Sequence, residues 1–146
     1  MNPNVVTVGL KTPSREALQL MLRYHLNHVV VVDGANRLAG IITYSDLSRK
    51  LLPTQKELME HEEYLTNPRT MEDRFRDVTH VPVDEIMTQH VITVFPDVEA
   101  LQAGATMTAR RIKQLPVVQD QRVLGIITHQ DIGWGLMMQY AECMQG

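Results

Sequence analysis

The residues best suited to chemistry come in two matched strings, Gly40-Ile41-Ile42-Thr43-Tyr44-Ser45-Asp46 and Gly125-Ile126-Ile127-Thr128-His129-Gln130-Asp131. Each places a hydroxyl and a carboxylate three residues apart, just after a β-branched run that reads as a strand. If a helix begins there, the Asp lies in its first turn, where the macrodipole favours negative charge. A carboxylate in that place can accept hydrogen bonds from both hydroxyls of a ribose. N–H groups at the helix start, together with the Thr hydroxyl, can hold a phosphate. The plainer reading is that Asp46 and Asp131 only cap their helices, as Asp often does. A single string would favour capping; two in register favour ligand contact.

The elements that must position these strings repeat as well. At an offset of 86, Val5, Thr7, Val8, Ala17, Met21, Val31 and Val32 fall on Val91, Thr93, Val94, Ala103, Met107, Val117 and Val118. One deletion later, Arg37, Gly40, Ile41, Ile42, Thr43 and Asp46 fall on Arg122, Gly125, Ile126, Ile127, Thr128 and Asp131. The chain is therefore a tandem duplication of a unit of about 50 residues. In the first copy, Val5 to Val8 reads as a strand, and Thr12-Pro13 as a helix start with Thr as N-cap. Leu18, Met21, Leu22 and Leu26 mark an apolar helix face, with Met21 and Met107 as core. Val29 to Val32 and Leu38 to Thr43 are strands around the turn residues Asp33-Gly34 and Asn36, and Leu47, Leu51 and Leu52 continue as a helix. The second copy follows as a strand over Val91 to Val94, a helix from Val98 to about Ile112, strands Pro116 to Gln119 and Val123 to Thr128, and a helix from Gln130. A unit this small buries only about 60% of its surface alone, so the copies are expected to pack as a pseudo-two-fold α+β pair.

Composition narrows the class. One cysteine in 146 residues, Cys143, allows neither an internal disulfide nor a cysteine-rich metal site, and suggests a reducing compartment. With 14 basic and 17 acidic residues there is no concentrated basic face for nucleic acid. No apolar run approaches the roughly 18 residues of a membrane helix, and a cytoplasmic protein is expected. The expected division is a first repeat over 1–52, an acidic helical connector over 53–82 and a second repeat over 83–146. From Pro53 to His90 there are nine acidic and four basic residues. Leu58 to Leu65 suggests one helix there, and Pro68 with Met71 to Phe75 a second, read as solvated rather than as a docking surface.

Ile86-Met87-Thr88, Val91-Ile92-Thr93-Val94, Leu115-Pro116-Val117-Val118 and the string ending at Asp131 together resemble the sequence pattern of a CBS domain. The first copy is similar over Val5 to Leu52, so the chain resembles a CBS pair, or Bateman module, everywhere except the connector. The resemblance implies the fold β-α-β-β-α in tandem and a regulatory, signal-transducing role without catalysis. It also implies adenosine nucleotides or an S-adenosylmethionine-like compound as ligand, bound in a cleft between the repeats. As a partner it implies a regulated enzyme or transporter, with no cofactor beyond the regulatory ligand.

Carried over by position, a first site would use Thr43, Ser45 and Asp46 with Thr88, Thr93, Ile112 and Lys113, and would have Asn27 and His28 near the phosphates. A second would use Thr128, Gln130 and Asp131 with Thr7, Leu26 and Asn27, and would have Lys113 and Gln114 facing the phosphates. The first copy departs from the pattern: Asn2 stands where Thr88 would be, and Val30 replaces the family proline. The first site is thus expected to be better formed, and the backbone that presents the base is open to change near Val30.

Other readings compete. His25 with His28, and His61-Glu62-Glu63, have metal-compatible spacings but no third placed ligand, so solvated side chains are expected. No nucleophile–base pattern stands out. Trp134, with Gly133, Gly135, Leu136, Met137, Met138 and Tyr140, lies on an apolar C-terminal helix that packs on the first repeat or forms a homodimer interface, or both. A purely structural dimerisation module with no ligand is the alternative to a sensor. The start so close to the first strand leaves open that the chain is the sensory part of a larger protein.

Overall fold

The computed structural model describes residues 4–144; Asn2, set against Thr88 above, lies outside them. The chain forms two compact units, one of Val6–His90, the other running from Val91 onward together with residues 4 and 5.

In Val6–His90, the β-branched runs form β1 (Thr7–Gly9), β2 (His28–Val32) and β3 (Leu38–Thr43). β1 is parallel to β2, with Val8 opposite Val31, and β2 is antiparallel to β3, with His28 opposite Thr43. The helix between them, α1 (Ser14–Tyr24), ends where His25 turns left-handed at φ 53° and donates its N–H to Met21. His is one of the residue types that tolerates this conformation. β3 passes directly into α2 (Tyr44–Leu51). Val8, Ala17, Met21, Val29, Val31, Ile42, Leu47 and Val83 form the core, while Val30 and Ile41 are buried on the other side of the strands.

Several expectations need correction. Pro13, not Thr12, is the N-cap of α1; the Thr12 hydroxyl instead accepts from the Gly9 N–H at 3.1 Å. Leu22 is 69% exposed, because the buried face of α1 runs through Ser14, Ala17 and Met21, and Leu22 lies about 100° further round. Leu52 is exposed beyond the end of α2. The first connector helix is two, α3 (Gln55–Glu60) and α4 (Glu63–Thr66), interrupted at His61-Glu62, and α5 (Pro68–His80) follows, capped by the Asn67 side chain with Pro68 in its first turn.

The connector is largely solvent-exposed, as expected, but it is not a free spacer. α5 packs on α1 and α2. Arg74 braces the segment: its guanidinium donates to Glu57, to the Tyr64 hydroxyl at 3.0 Å and to the carbonyl of Lys50 at 3.2 Å. Burial works against its charge, but Tyr64 and Glu57 hold its pKa above the ordinary value. Beyond α5, the buried Ser14 hydroxyl donates to Val81 O at 2.6 Å, the Val83 N–H donates to Thr12 O, and a 3-10 turn forms at Val83–Glu85. The repeats of the sequence and the compact units of the structure are thus divided at different places.

From Val91 onward, the unit contains α6 (Ala100–Arg110), β4 (Gln114–Gln119), β5 (Arg122–Thr128) and α7 (His129–Met144). Val91–Val94 is not a strand; only Val94 pairs, parallel to Val117. That bridge is the counterpart of Val8 opposite Val31. The duplication extends to finer backbone detail: Arg111 is left-handed at φ 55° like His25, and a bulge after Val117 matches one after Val31. Val30 in place of Pro116 keeps the bulged hairpin but adds a donor: its N–H donates to Val6 O at 3.1 Å, a bond proline cannot make, and β1 pairs with β2 where the second unit has the Val94–Val117 bridge. Ala103, Met107, Leu115, Val117 and Ile127 form the second core.

Candidate functional site

The turn from β3 into α2 is held by a reciprocal capping box. The Asp46 N–H donates to Thr43 Oγ1 at 3.2 Å, and Asp46 Oδ2 accepts from the Thr43 N–H at 2.9 Å and from the Thr43 hydroxyl at 3.0 Å. Thr-x-x-Asp is a spacing that closes this box, because N-cap and N3 face one another across the first turn. Asp46 is 6% exposed, and its Oδ1 accepts from Arg49 Nη2 at 2.5 Å. The Tyr44 N–H donates to Asn27 O at 2.8 Å, which fixes the residues ahead of β2 against the start of α2. Burial lowers the pKa of His28, beside Thr43, and favours its neutral form; its Nδ1 is 3.0 Å from Asn27 Oδ1.

Thr88 reaches this turn from the far end of the unit. Its N–H donates to Ile41 O at 2.9 Å and its O accepts from the Ile41 N–H at 3.1 Å, so the segment Ile86-Met87-Thr88 lies along the outer edge of β3. Gly40 makes room for it: a Cβ there would stand 2.5 Å from Met87 Sδ and 2.7 Å from Thr88 O. The result is a cleft of about 480 Å³ lined by Asp46, Arg49, Lys50, Glu85, Ile86 and Thr88. Of the expected first set, Thr43, Ser45, Asp46, Thr88, Asn27 and His28 belong to this unit, and Ser45 and Thr88 are exposed. Thr93, Ile112 and Lys113 belong to the other unit.

The other unit repeats the turn with different surroundings. The Asp131 N–H donates to Thr128 Oγ1 at 3.1 Å, and Asp131 Oδ2 accepts from the Thr128 N–H at 3.0 Å. The His129 N–H donates to Lys113 O at 3.0 Å, matching the bond from Tyr44 to Asn27, and Gln114 pairs across the strands with Thr128. Asp131 is exposed and, among the described residues, has no ion pair. It borders a largely apolar recess of about 380 Å³ that includes Val98, Val117, Ile132 and Gln139. Gln130, next to it in sequence, and Lys113, whose carbonyl accepts from His129, are exposed, and Thr7 and Leu26 of the expected second set lie in Val6–His90.

Arg49, Lys50 and Glu85 line the cleft although sequence reasoning had not selected them. The signal for the two cations was available, since three and four residues beyond Asp46 is the next turn of the same helix face. Among the described residues no group of three His, Cys, Asp or Glu could hold a metal, and no helix is long and apolar enough to cross a membrane. α7 contacts α6 and leaves Trp134, Met137, Met138, Tyr140 and Met144 exposed.

Comparison with known proteins agrees with this architecture. The family model of the CBS domain matches residues 1–53 and 83–132. The chain is 31% identical over 130 residues to inosine-5'-monophosphate dehydrogenase of Methanocaldococcus jannaschii, covering 88% of this chain but 21% of that protein. It thus spans about a fifth of the length of such curated relatives. Among solved structures it resembles the CBS domain of a CBS domain containing membrane protein from Sphaerobacter thermophilus, with a TM-score of 0.71, 31% identity and coverage of 89% and 80% of the two chains. It also resembles the CBS domain pair of protein MJ0100 in complex with 5'-methylthioadenosine and S-adenosyl-L-methionine, with a TM-score of 0.68, 26% identity and coverage of 92% and 90%. With two matched segments, a shared fold and a duplication kept down to its bulges, this chain belongs to the CBS domain family as a tandem pair.

Proposed function

We propose that the chain is a regulatory module without catalytic activity, which binds an adenosine nucleotide at the Asp46 turn and passes that signal to an attached or partner enzyme or transporter. The observation that carries this reading is that Asp46 and Thr88 line one cleft together with two cations, Arg49 and Lys50. A carboxylate for ribose hydroxyls beside cations for phosphate is the complement of a nucleotide. The relative solved with adenosyl compounds supports this ligand class. Binding regulates only if the ligand prefers one arrangement of the repeats. The test is thermal unfolding with AMP, ADP, ATP and S-adenosylmethionine. At 100 times its dissociation constant a ligand adds about 2.7 kcal/mol and raises the melting temperature by several degrees. No shift with any of them at millimolar concentration removes the reading.

The exposed apolar side chains of α7 favour a second role that is compatible with the first, self-association into a homodimer. Sedimentation showing a monomer at about 100 μM, near the limit of weak association, would remove it. If the dimer forms and no nucleotide binds, the chain is a structural dimerisation module. A single exposed cysteine, Cys143, suits a reducing, cytoplasmic setting.

A further inference from the structure

We propose that Arg49 makes the Asp46 cleft selective for phosphorylated nucleosides, because it holds the Asp46 carboxylate and yields it readily only to a ligand that brings an anion of its own. The inference rests on the nucleotide reading given above and names the ligand class within it.

The Asp46 carboxylate has little capacity to spare. Oδ2 accepts from the Thr43 N–H and hydroxyl, and Oδ1 from Arg49. A ribose that approaches Asp46 must share Oδ1 with the guanidinium or displace it. Asp46 is buried, and a buried carboxylate stripped of its partner is costly unless the newcomer replaces the bond. Arg49 differs, being 74% exposed, so its head group can move without losing buried contacts. Its Nε also lies 3.3 Å from Ser45 O, which keeps the guanidinium along the first turn of α2. That is the end of the helix where backbone N–H groups and the macrodipole attract anions.

The exchange therefore depends on what the ligand carries. A nucleoside without phosphate takes Oδ1 and releases Arg49 to water, so one ion pair is lost. A nucleoside phosphate takes Oδ1 and gives Arg49 a second acceptor suited to its planar fork, so one charge-assisted pair replaces another. A ligand with a positive centre meets Arg49 and Lys50 together on α2, with Glu85 as the one acidic residue besides Asp46 lining the cleft. The second repeat has no such device, since Trp134 and Gly135 stand at the positions of Arg49 and Lys50.

The test is calorimetric titration of AMP and adenosine, which differ only by the phosphate, into the wild-type chain and Arg49→Gln. The wild type is expected to prefer AMP by about tenfold or more. Arg49→Gln is expected to cut that ratio by about tenfold, with AMP weakened and adenosine unchanged or tighter. A ratio in Arg49→Gln equal to that of the wild type overturns the inference. If Arg49→Gln does not melt cooperatively, Arg49→Lys replaces it, with a several-fold drop expected from loss of the fork and an unchanged ratio overturning the idea. A wild type that binds neither compound overturns this inference, and the nucleotide reading falls with it only if ADP, ATP and S-adenosylmethionine also leave the melting temperature unchanged; binding of both with an unaltered ratio removes the inference alone.

Discussion

Asp46 and Asp131 occupy equivalent places in a duplicated turn, and each accepts from the backbone N–H of its Thr, at 2.9 and 3.0 Å. The other backbone bonds of the turn match as well, but the side chains around the two carboxylates differ. Asp46 is buried, has the guanidinium of Arg49 and shares a cleft with Thr88 and Glu85; Asp131 is exposed and borders an apolar recess, and its helix carries Trp134 where α2 carries Arg49. The duplication has kept the backbone device and changed the side chains that decide what it can hold. Capping and ligand contact are thus not rival readings of Thr-x-x-Asp: the box fixes one carboxylate oxygen and leaves the other to its neighbours.

The largest effect expected on this comparison comes from Gly40, which seats the Thr88 segment in the Asp46 turn. In Gly40→Ala the new Cβ meets Met87 Sδ, which can swing away, and Thr88 O, which cannot move without losing its bond to the Ile41 N–H. Overpacking of this kind costs about 2 to 3 kcal/mol. Urea denaturation should show that loss, and AMP affinity should fall with it. An unchanged midpoint would mean that Ile86-Met87-Thr88 does not rest on β3, and the cleft that distinguishes the first turn would be gone.

A smaller effect separates the two carboxylates themselves. Asp46→Ala removes the N3 half of a buried capping box and the partner of Arg49, for which about 2 kcal/mol is expected, comparable with the upper end for loss of a cap. The ion pair adds little to that figure because the Arg49 side chain is mostly in water. Asp131→Ala removes the equivalent, exposed half of the second box, for about 0.5 to 1 kcal/mol. Denaturation of the two variants side by side checks the order, and equal losses would erase the contrast in burial.

What could be read from the sequence follows the same division. The strand Leu38–Thr43 and the repeated capping string are written in local residue types, and the structure gives both as read. Left-handed His25 and Arg111, which close α1 and α6, carry no such mark because neither residue type demands that conformation, and the bulges after Val31 and Val117 carry none because pairing between strands imposes them. Ile86-Met87-Thr88 opens the second repeat in sequence but pairs with β3 of the first, a non-local choice that depends on Gly40 having no side chain. Leu22 was misplaced because apolar spacing alone does not say which residues centre the buried face, and the role of Ser14 in that face becomes apparent only with Val81 beside it. Arg49 was passed over because a cation on a helix is usually only solvated; the burial of Asp46 is what gives it a role.

The smallest effect compares His28 with Gln114, the equivalent residue before the second turn. Burial lowers the pKa of His28 in the folded chain below its unfolded value of about 6.5. Between the two values the unfolded chain binds a proton that the folded chain does not, so stability declines as pH falls through about 6.5 and stays reduced below the folded pKa. Gln114 does not titrate, and the second turn has no such dependence from that position. His28→Gln makes the two turns alike, so the variant should lose less stability than the wild type between pH 7.5 and pH 5, as measured by urea midpoints at each pH. Parallel curves would mean that His28 titrates in the folded chain as it does in the unfolded one, and that burial beside Thr43 does not disfavour its charge.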